Sequence, residues 1–211
     1  MNYEHLKIEF INLLRSTKRE GMENVIEELS KSDFFTAPAS SKYHEAYKHG
    51  LLQHCMEVYN QLRLLVYIES KKINEDIAIN DDSVTIVSLL HDVCKINSYE
   101  WAFIKNAKNE KGEWYEKFDW KKRTPELPVG HGERSVILLL RWGLKLTDEE
   151  ICAIRWHMGA FDMSQYSDVR NAFNEAGNMY HLVPLLQSAD MLASRVTPNT
   201  GATAKKVQEQ N

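Results

Sequence analysis

Apolar residues recur at intervals of three and four along most of this chain, the spacing that gathers them on one face of a helix. Residues 3–16 set Leu6, Phe10, Ile11, Leu13 and Leu14 in that pattern, and Met22 to Leu29 repeats it after Gly21, which predicts two packing helices. Ser32 to Ser41 holds Pro38 and several small residues and reads as a connection. From about Lys42 to Ser70 the apolar positions Tyr47, Leu51, Cys55, Val58, Leu62 and Leu65 predict one long helix, with His54 among them and His44 and His49 just upstream. Gly50 inside that helix costs about 1 kcal/mol relative to alanine, which points to a close approach to the backbone there.

Asp81-Asp82-Ser83 offers a cap for a helix through Val84, Val87, Leu90, Val93 and Ile96. The adjacent pair His91-Asp92 interrupts this apolar run near its end. Burying an ionised carboxylate is expensive unless it is paired or bound to a metal. Neighbours on a helix lie about 100° apart, so geometry alone does not bring both to one ion. The period then changes: Tyr99, Trp101 and Phe103 alternate, Asn109-Glu110-Lys111-Gly112 is turn-like, and Trp114, Phe118 and Trp120 resume the even spacing, predicting a β-hairpin near residues 99–120. Its rings are expected to pack the hairpin onto the helices; the alternative is that they stack on a base beside Lys121-Lys122-Arg123.

Past Pro125 and Pro128, Gly130-His131-Gly132-Glu133 opens a helix through Val136, Ile137, Leu139 and Leu140, ending near Gly143. Glycine on both sides of His131 gives the backbone freedom to present that ring. Thr147-Asp148-Glu149-Glu150 is a capping box for a helix carrying Ile151, Ile154 and His157 on one stripe, with Gly159 as its stop. Residues 162–178 read as a polar passage, and Pro184 starts a last helix with Leu186, Asp190 and Ala193 on one face. The expected organisation is one helical domain over residues 1–196, followed by a polar, frayed tail over 197–211.

With 43% hydrophobic residues in 211, the chain has ample material for a core. A net charge of −4 with 27% charged residues gives no reason to expect binding to long nucleic acid through overall charge. No apolar run approaches the roughly 18 residues of a membrane span. The start, Met1-Asn2-Tyr3-Glu4-His5, leads into a charged amphipathic segment unlike a signal peptide, so a cytoplasmic location is expected. Cys55, Cys94 and Cys152 are odd in number and widely spaced, which fits reduced, mostly buried residues better than a disulfide framework or a zinc-thiolate site.

Each polar interruption has an ordinary explanation alone. Together His54, His91, Asp92, His131, His157 and Asp190 are six N/O ligands, most of them at apolar positions of separate predicted helices. Imidazole and carboxylate without thiolate suit manganese, iron, zinc, nickel, cobalt or magnesium, and ligand type does not choose among them.

The ordered segments Gly50-Leu51-Leu52-Gln53-His54, Leu90-His91-Asp92-Val93-Cys94-Lys95, Gly130-His131-Gly132-Glu133, Arg155-Trp156-His157 and Ala189-Asp190 resemble the HD superfamily of metal-dependent phosphohydrolases. The pattern H…HD…H…H…D spans roughly residues 43–195, and Tyr43-His44-Glu45-Ala46-Tyr47 is similar to the HD domains of bacterial exoribonucleases, without their OB module. The resemblance implies an all-α HD-type bundle carrying the hairpin as an insertion. It also implies one ion held by His54, His91, Asp92 and Asp190, and a second by His131 and His157, with Asp92 as the bridge. Cys94 departs from the glycine common in the HDxGK motif. The implied activity is hydrolysis of a phosphoester, in a nucleotide or short single-stranded oligonucleotide, by a metal-activated water. Asp92 and Lys95 are the expected catalytic residues, and Lys95, His44, Arg155 and Arg195 the expected substrate contacts. Two other readings of the same ligands are a di-iron oxygenase, as in inositol-oxygenase-like proteins, and a metal-stabilised nucleotide-binding module without turnover.

Overall fold

The computed structural model describes residues 2–72, 79–162 and 167–196. It is mostly helical, at 59% helix, with one small antiparallel sheet. The helices are α1 (Tyr3–Ser16), α2 (Met22–Lys31), α3 (Gly50–Lys72), α4 (Asp81–Leu90), α5 (His131–Arg141), α6 (Asp148–Trp156), α7 (Ser167–Met179) and α8 (Leu182–Arg195). The hairpin strands β1 (Tyr99–Lys108) and β2 (Trp114–Lys122) lie between α4 and α5. The predicted tail over 197–211 lies outside the described residues.

Helix α4 is the axis of the bundle, because every residue from Ser83 to Leu90 is buried. Helix α3 packs against α4 and α8, α6 against α8 and α5, and α1 against α4. Phe10, Leu14, Phe34, Leu51, Leu52, Leu62, Ile86, Leu89, Leu90 and Leu139 are all fully enclosed. At about 1.5–3 kcal/mol for each large side chain removed from water, these contacts drive the assembly of the bundle. No described helix is long and apolar enough to cross a membrane.

Several local expectations change. The long helix predicted from Lys42 begins only at Gly50, and residues 42–49 form turns. Glu45 and His49 adopt left-handed φ values of 41° and 71°, which end any helical run there. Buried Ala46 and Tyr47 imitate the helical period from within a turn. Gly50 is therefore the first residue of α3, yet the close approach inferred from it is real: a Cβ would lie 2.0 Å from the Glu45 carbonyl oxygen. The cap of α4 is Asn80, whose side chain accepts the Asp82 N–H at 2.7 Å, one residue before the acidic pair expected to serve. The passage over 162–178 contains α7, whose Val169, Phe173 and Ala176 keep a helical period that the polar majority obscured.

The hairpin pairs Trp101 with Trp120 and Phe103 with Phe118, and a bulge at Ile104 shifts the register beyond. Tyr99 and Trp120 at its root are half-buried, but most of its rings do not pack onto the helices as expected. Trp101, Phe103, Trp114 and Phe118 keep 52, 50, 70 and 41% of their surface. Alternation places side chains on one face of a strand pair but does not say what covers that face.

Candidate metal centre

The end of α4 supplies the middle of the site. His91 caps the helix, and its Nδ1 lies 2.8 Å from the Ser88 carbonyl oxygen. A carbonyl only accepts, so Nδ1 carries the hydrogen, and in the neutral ring Nε2 presents a lone pair. His157 caps α6 in the same way, with Nδ1 2.7 Å from the Ile154 carbonyl oxygen. Helix-end carbonyls lack intrahelical donors, so each ring is oriented by a group its own helix leaves open. This is the arrangement by which a backbone carbonyl fixes the tautomer of a metal-ligating histidine.

Four of the expected ligands meet in one group. His54 Nε2 lies 3.1 Å from Asp190 Oδ1, 3.4 Å from His91 Nε2 and 3.5 Å from Asp92 Oδ2. His91 Nε2 is 3.4 Å from the same Asp92 oxygen. Ligands about 2.1 Å from an ion are separated by about 3.0 Å in an octahedron and about 3.4 Å in a tetrahedron, so these spacings match the edges of a coordination shell. On its other oxygen, Asp92 accepts a hydrogen bond from His131 Nε2 at 2.7 Å and faces His157 Nε2 at 3.7 Å. The His157 nitrogen is buried with no hydrogen-bond partner. A lone pair aimed at a carboxylate is repulsive until a cation lies between them, so the donor set fits a metal.

The electrostatics follow from burial and from Asp92. Burial alone would raise the Asp92 carboxyl, but Lys95, His91 and His131 hold it well below the usual carboxylate range. The Lys95 ammonium lies 2.6 Å from Asp92 Oδ2 and is held above its ordinary value despite burial. Desolvation pushes His54 and His157 down, which favours their neutral rings. Burial likewise lowers His91, but the Asp92 charge outweighs it and the ring ends above its ordinary value. For Asp190, the His54 hydrogen bond overcomes the burial that would raise it. Burial would lower His131 too, yet Cys94 and Asp92 bring it up to about 10.

Cys94 is more than a passive departure from the motif. Its Sγ is 3.3 Å from His131 Nδ1, and Asp92, Cys94 and His131 form one group with donor atoms in metal-binding reach. Its amide donates to Ser135 Oγ at 3.2 Å, tying the turn after α4 to α5. Buried groups of His, Asp and Cys in this region could thus hold a metal ion. The glycines around His131 serve contact more than freedom. A Cβ on Gly132 would lie 2.2 Å from the Arg155 carbonyl oxygen, so glycine lets α5 meet the end of α6, and neither Gly130 nor Gly132 has a positive φ.

All six expected ligands come together, with His131 and Asp190 the more open, at 25 and 16% of side-chain surface. Lys95 joins them. His44 lies beside the cluster, its ring 4.9 Å from that of His54. Arg155 pairs with Glu133 at 2.7 Å and lies over the Trp156 ring. Arg195 is exposed at the last position of α8. Five residues beyond Asp190, it lies about 140° round the helix from it.

Glu45 was not expected at the site. It is buried, its Oε2 faces His54 Nδ1 at 3.7 Å, and neither atom has a hydrogen-bond partner. Burial pushes its carboxyl up to about 7. The sequence signal was the unexplained Gly50, which makes room for the Glu45 carbonyl.

No family model, curated protein or solved structure matches the chain.

Proposed function

We propose that this chain is a metal-dependent phosphohydrolase of the HD type, acting on a phosphoester in a nucleotide or short oligonucleotide. The observation that carries this reading is the convergence of His54, His91, Asp92, His131, His157 and Asp190, from segments far apart in the chain, on one buried cluster beside Lys95. His54, His91, Asp92 and Asp190 would hold one divalent ion, and His131 and His157 a second shared through Asp92. Such ions, when bound, polarise a phosphoryl oxygen and bring an attacking water to hydroxide near neutral pH.

The side chains then divide the remaining work. Asp92 stays ionised throughout the physiological range, which suits a shared ligand better than a proton acceptor. Lys95 keeps a fixed positive charge at the cluster, where it can meet the charge that develops on a transferring phosphoryl group. His44, at the edge of the cluster, is the further contact for a bound phosphoester. Ser88 and Ile154 hold the two ring tautomers through their carbonyls, so His91 and His157 need no rearrangement to ligate.

The test is a screen of nucleoside mono-, di- and triphosphates, cyclic dinucleotides, short oligonucleotides and a generic phosphodiester against manganese, iron, zinc, nickel, cobalt and magnesium. Metal-dependent phosphoester cleavage that disappears in Asp92→Asn supports the reading. A tightly held iron pair with oxygen-dependent turnover and no phosphoester cleavage would replace it with an oxygenase. Nucleotide binding without turnover under every metal would replace it with a binding module.

A further inference from the structure

The hairpin presents an aromatic face that begins at the metal-ligand cluster. Residues paired across an antiparallel ladder share a face, and successive residues alternate. The register therefore places Tyr99, Trp101 and Phe103 of β1 on the same side as Trp114, Phe118 and Trp120 of β2. Trp101 packs edge-on to Trp120 at 5.3 Å, and Phe103 to Phe118 at 5.9 Å. These cross-strand pairs hold the hairpin together; Trp120 is half-buried, but Trp101, Phe103 and Phe118 keep 52, 50 and 41% of their surface and Trp114 beyond them is 70% exposed.

The root of this face is fastened to the site. Ser98 N–H donates to the Lys95 carbonyl at 3.1 Å, and Arg123 N–H donates to the Ser98 carbonyl at 2.8 Å. The Ser98 hydroxyl donates to the Cys94 carbonyl at 3.0 Å. Tyr99 is half-buried there, near enough for the charges of Lys95, Asp92 and Arg134 to act on its hydroxyl.

Charge selects the occupant. Over residues 99–123 there are seven lysines and arginines and five acidic residues, a surplus of two cations in a chain whose net charge is −4. Lys121, Lys122 and Arg123 stand at the root, nearest Lys95, and Lys108 and Lys122 share the aromatic face. Interfaces between protein chains deplete lysine and glutamate from their cores, and this face instead mixes its rings with Lys108, Lys122, Asn106 and Glu116. Aromatic rings interleaved with cations form a stacking platform for single-stranded nucleic acid. Same-side rungs are about 6.6 Å apart along a strand. That is about twice the 3.4 Å advance of a duplex strand, so the platform suits bases splayed singly over the rungs.

We propose that this face binds the bases of a single-stranded oligonucleotide and delivers its phosphate toward Lys95. The proposal rests on the phosphohydrolase reading for what happens at the cluster, but the binding it describes stands apart from turnover. A mononucleotide is then a truncated substrate, and affinity climbs with length over about three to four nucleotides, the number of rungs available.

The experiment measures fluorescence anisotropy of labelled oligothymidylates of two, four and eight nucleotides on the full chain, stripped of metal so that nothing is cleaved. Wild type is expected to bind the eight-mer better than the dimer and better than a duplex of equal length. Trp101→Ala and Phe118→Ala should each weaken the eight-mer by about 5- to 150-fold, whereas Trp101→Phe and Phe118→Tyr retain most of the affinity. Turnover of bis(p-nitrophenyl) phosphate, which is too small to reach the rungs, serves as the control and should be unchanged in all four variants. If cleavage of that ester persists while the eight-mer binds no better than the dimer, or binds equally well to the alanine variants, the hairpin proposal fails and the hydrolase reading survives. If no ester is cleaved with any metal but the length and ring dependence hold, the platform stands and the hydrolase reading fails. Self-association lost in Trp101→Ala, or binding to phosphatidylglycerol vesicles, with no affinity for the eight-mer, would overturn the proposal in favour of a second copy or a lipid surface. Should an alanine variant lose helical signal, the conservative pair decides: Trp101→Phe binding as weakly as Trp101→Ala rules against stacking.

Discussion

Glu150 and Asp92 are both buried carboxylates, and their surroundings differ in kind. Glu150 is saturated with donors: Arg19 meets it through two nitrogens at 2.7 and 2.8 Å, the Ser83 hydroxyl donates at 2.7 Å and the Thr147 amide at 2.8 Å. Its oxygens have partners, and the group ties α4 and α6 to the turn before α2. Asp92 also has two close donors, Lys95 and His131, but the nitrogens of His91, His54 and His157 face it at 3.4, 3.5 and 3.7 Å, beyond good hydrogen bonds. A buried charge whose shell is closed by donors is a structural joint. One whose remaining neighbours are imidazole nitrogens beyond good hydrogen-bond reach is arranged for a cation.

The widest separation between the two comes from removing each charge. Asp92→Asn should abolish metal uptake and lower hydrolysis at least about 10³-fold, equivalent to about 4 kcal/mol in the barrier, while circular dichroism still reports a folded protein. Equal activity in that variant would dissolve the distinction. Glu150→Ala should do the reverse. Breaking a buried pair leaves Arg19 uncompensated and costs about 3 kcal/mol of stability, read by denaturant unfolding, with the metal affinity of the folded protein unchanged.

Metal removal sharpens the contrast further. An ion at a hundred times its dissociation constant stabilises the folded state by about 2.7 kcal/mol, which for a chain of this size raises Tm by about 5–11 °C. Calorimetric scans with and without a chelator should show that shift in wild type and in Glu150→Ala, and not in Asp92→Asn. The smallest effect concerns Glu45. Without the carboxylate that faces His54 Nδ1 at 3.7 Å, Glu45→Ala should weaken metal binding about tenfold, with Glu45→Gln between the two because its amide keeps an oxygen, though no charge, facing that nitrogen. Identical affinities in all three would leave Glu45 as packing alone.

How much of this could be read in the sequence depended on where each residue fell. His54, His91, His157 and Asp190 were legible because each breaks an apolar stripe on a helix, and the stripe fixes the direction of the side chain. Asp92 was legible only through the ordered pattern, since its neighbour His91 points about 100° away on a regular helix. What brings both to one place is the end of α4 at Leu90, after which Asp92 leaves helical geometry at φ −107° and ψ 16°. Glu45 was hidden because it lies in a turn whose buried Ala46 and Tyr47 imitate a helix. Helix α7 was hidden by polar residues outnumbering its apolar stripe. The hairpin's strands were evident from alternation, but the exposure of its rings depends on no element among the described residues covering them, which no local pattern encodes.

The proposed function requires the open-shelled carboxylate, unlike the closed one, to hold a catalytic cation. Its most direct test is calorimetric titration of manganese into chelator-stripped wild type, Asp92→Asn and Glu150→Ala, with phosphodiester cleavage followed in the same samples. Saturable uptake of one or two ions per chain, with cleavage rising in step in wild type and Glu150→Ala and both absent in Asp92→Asn, is the predicted result. Uptake and cleavage undiminished in Asp92→Asn would contradict it.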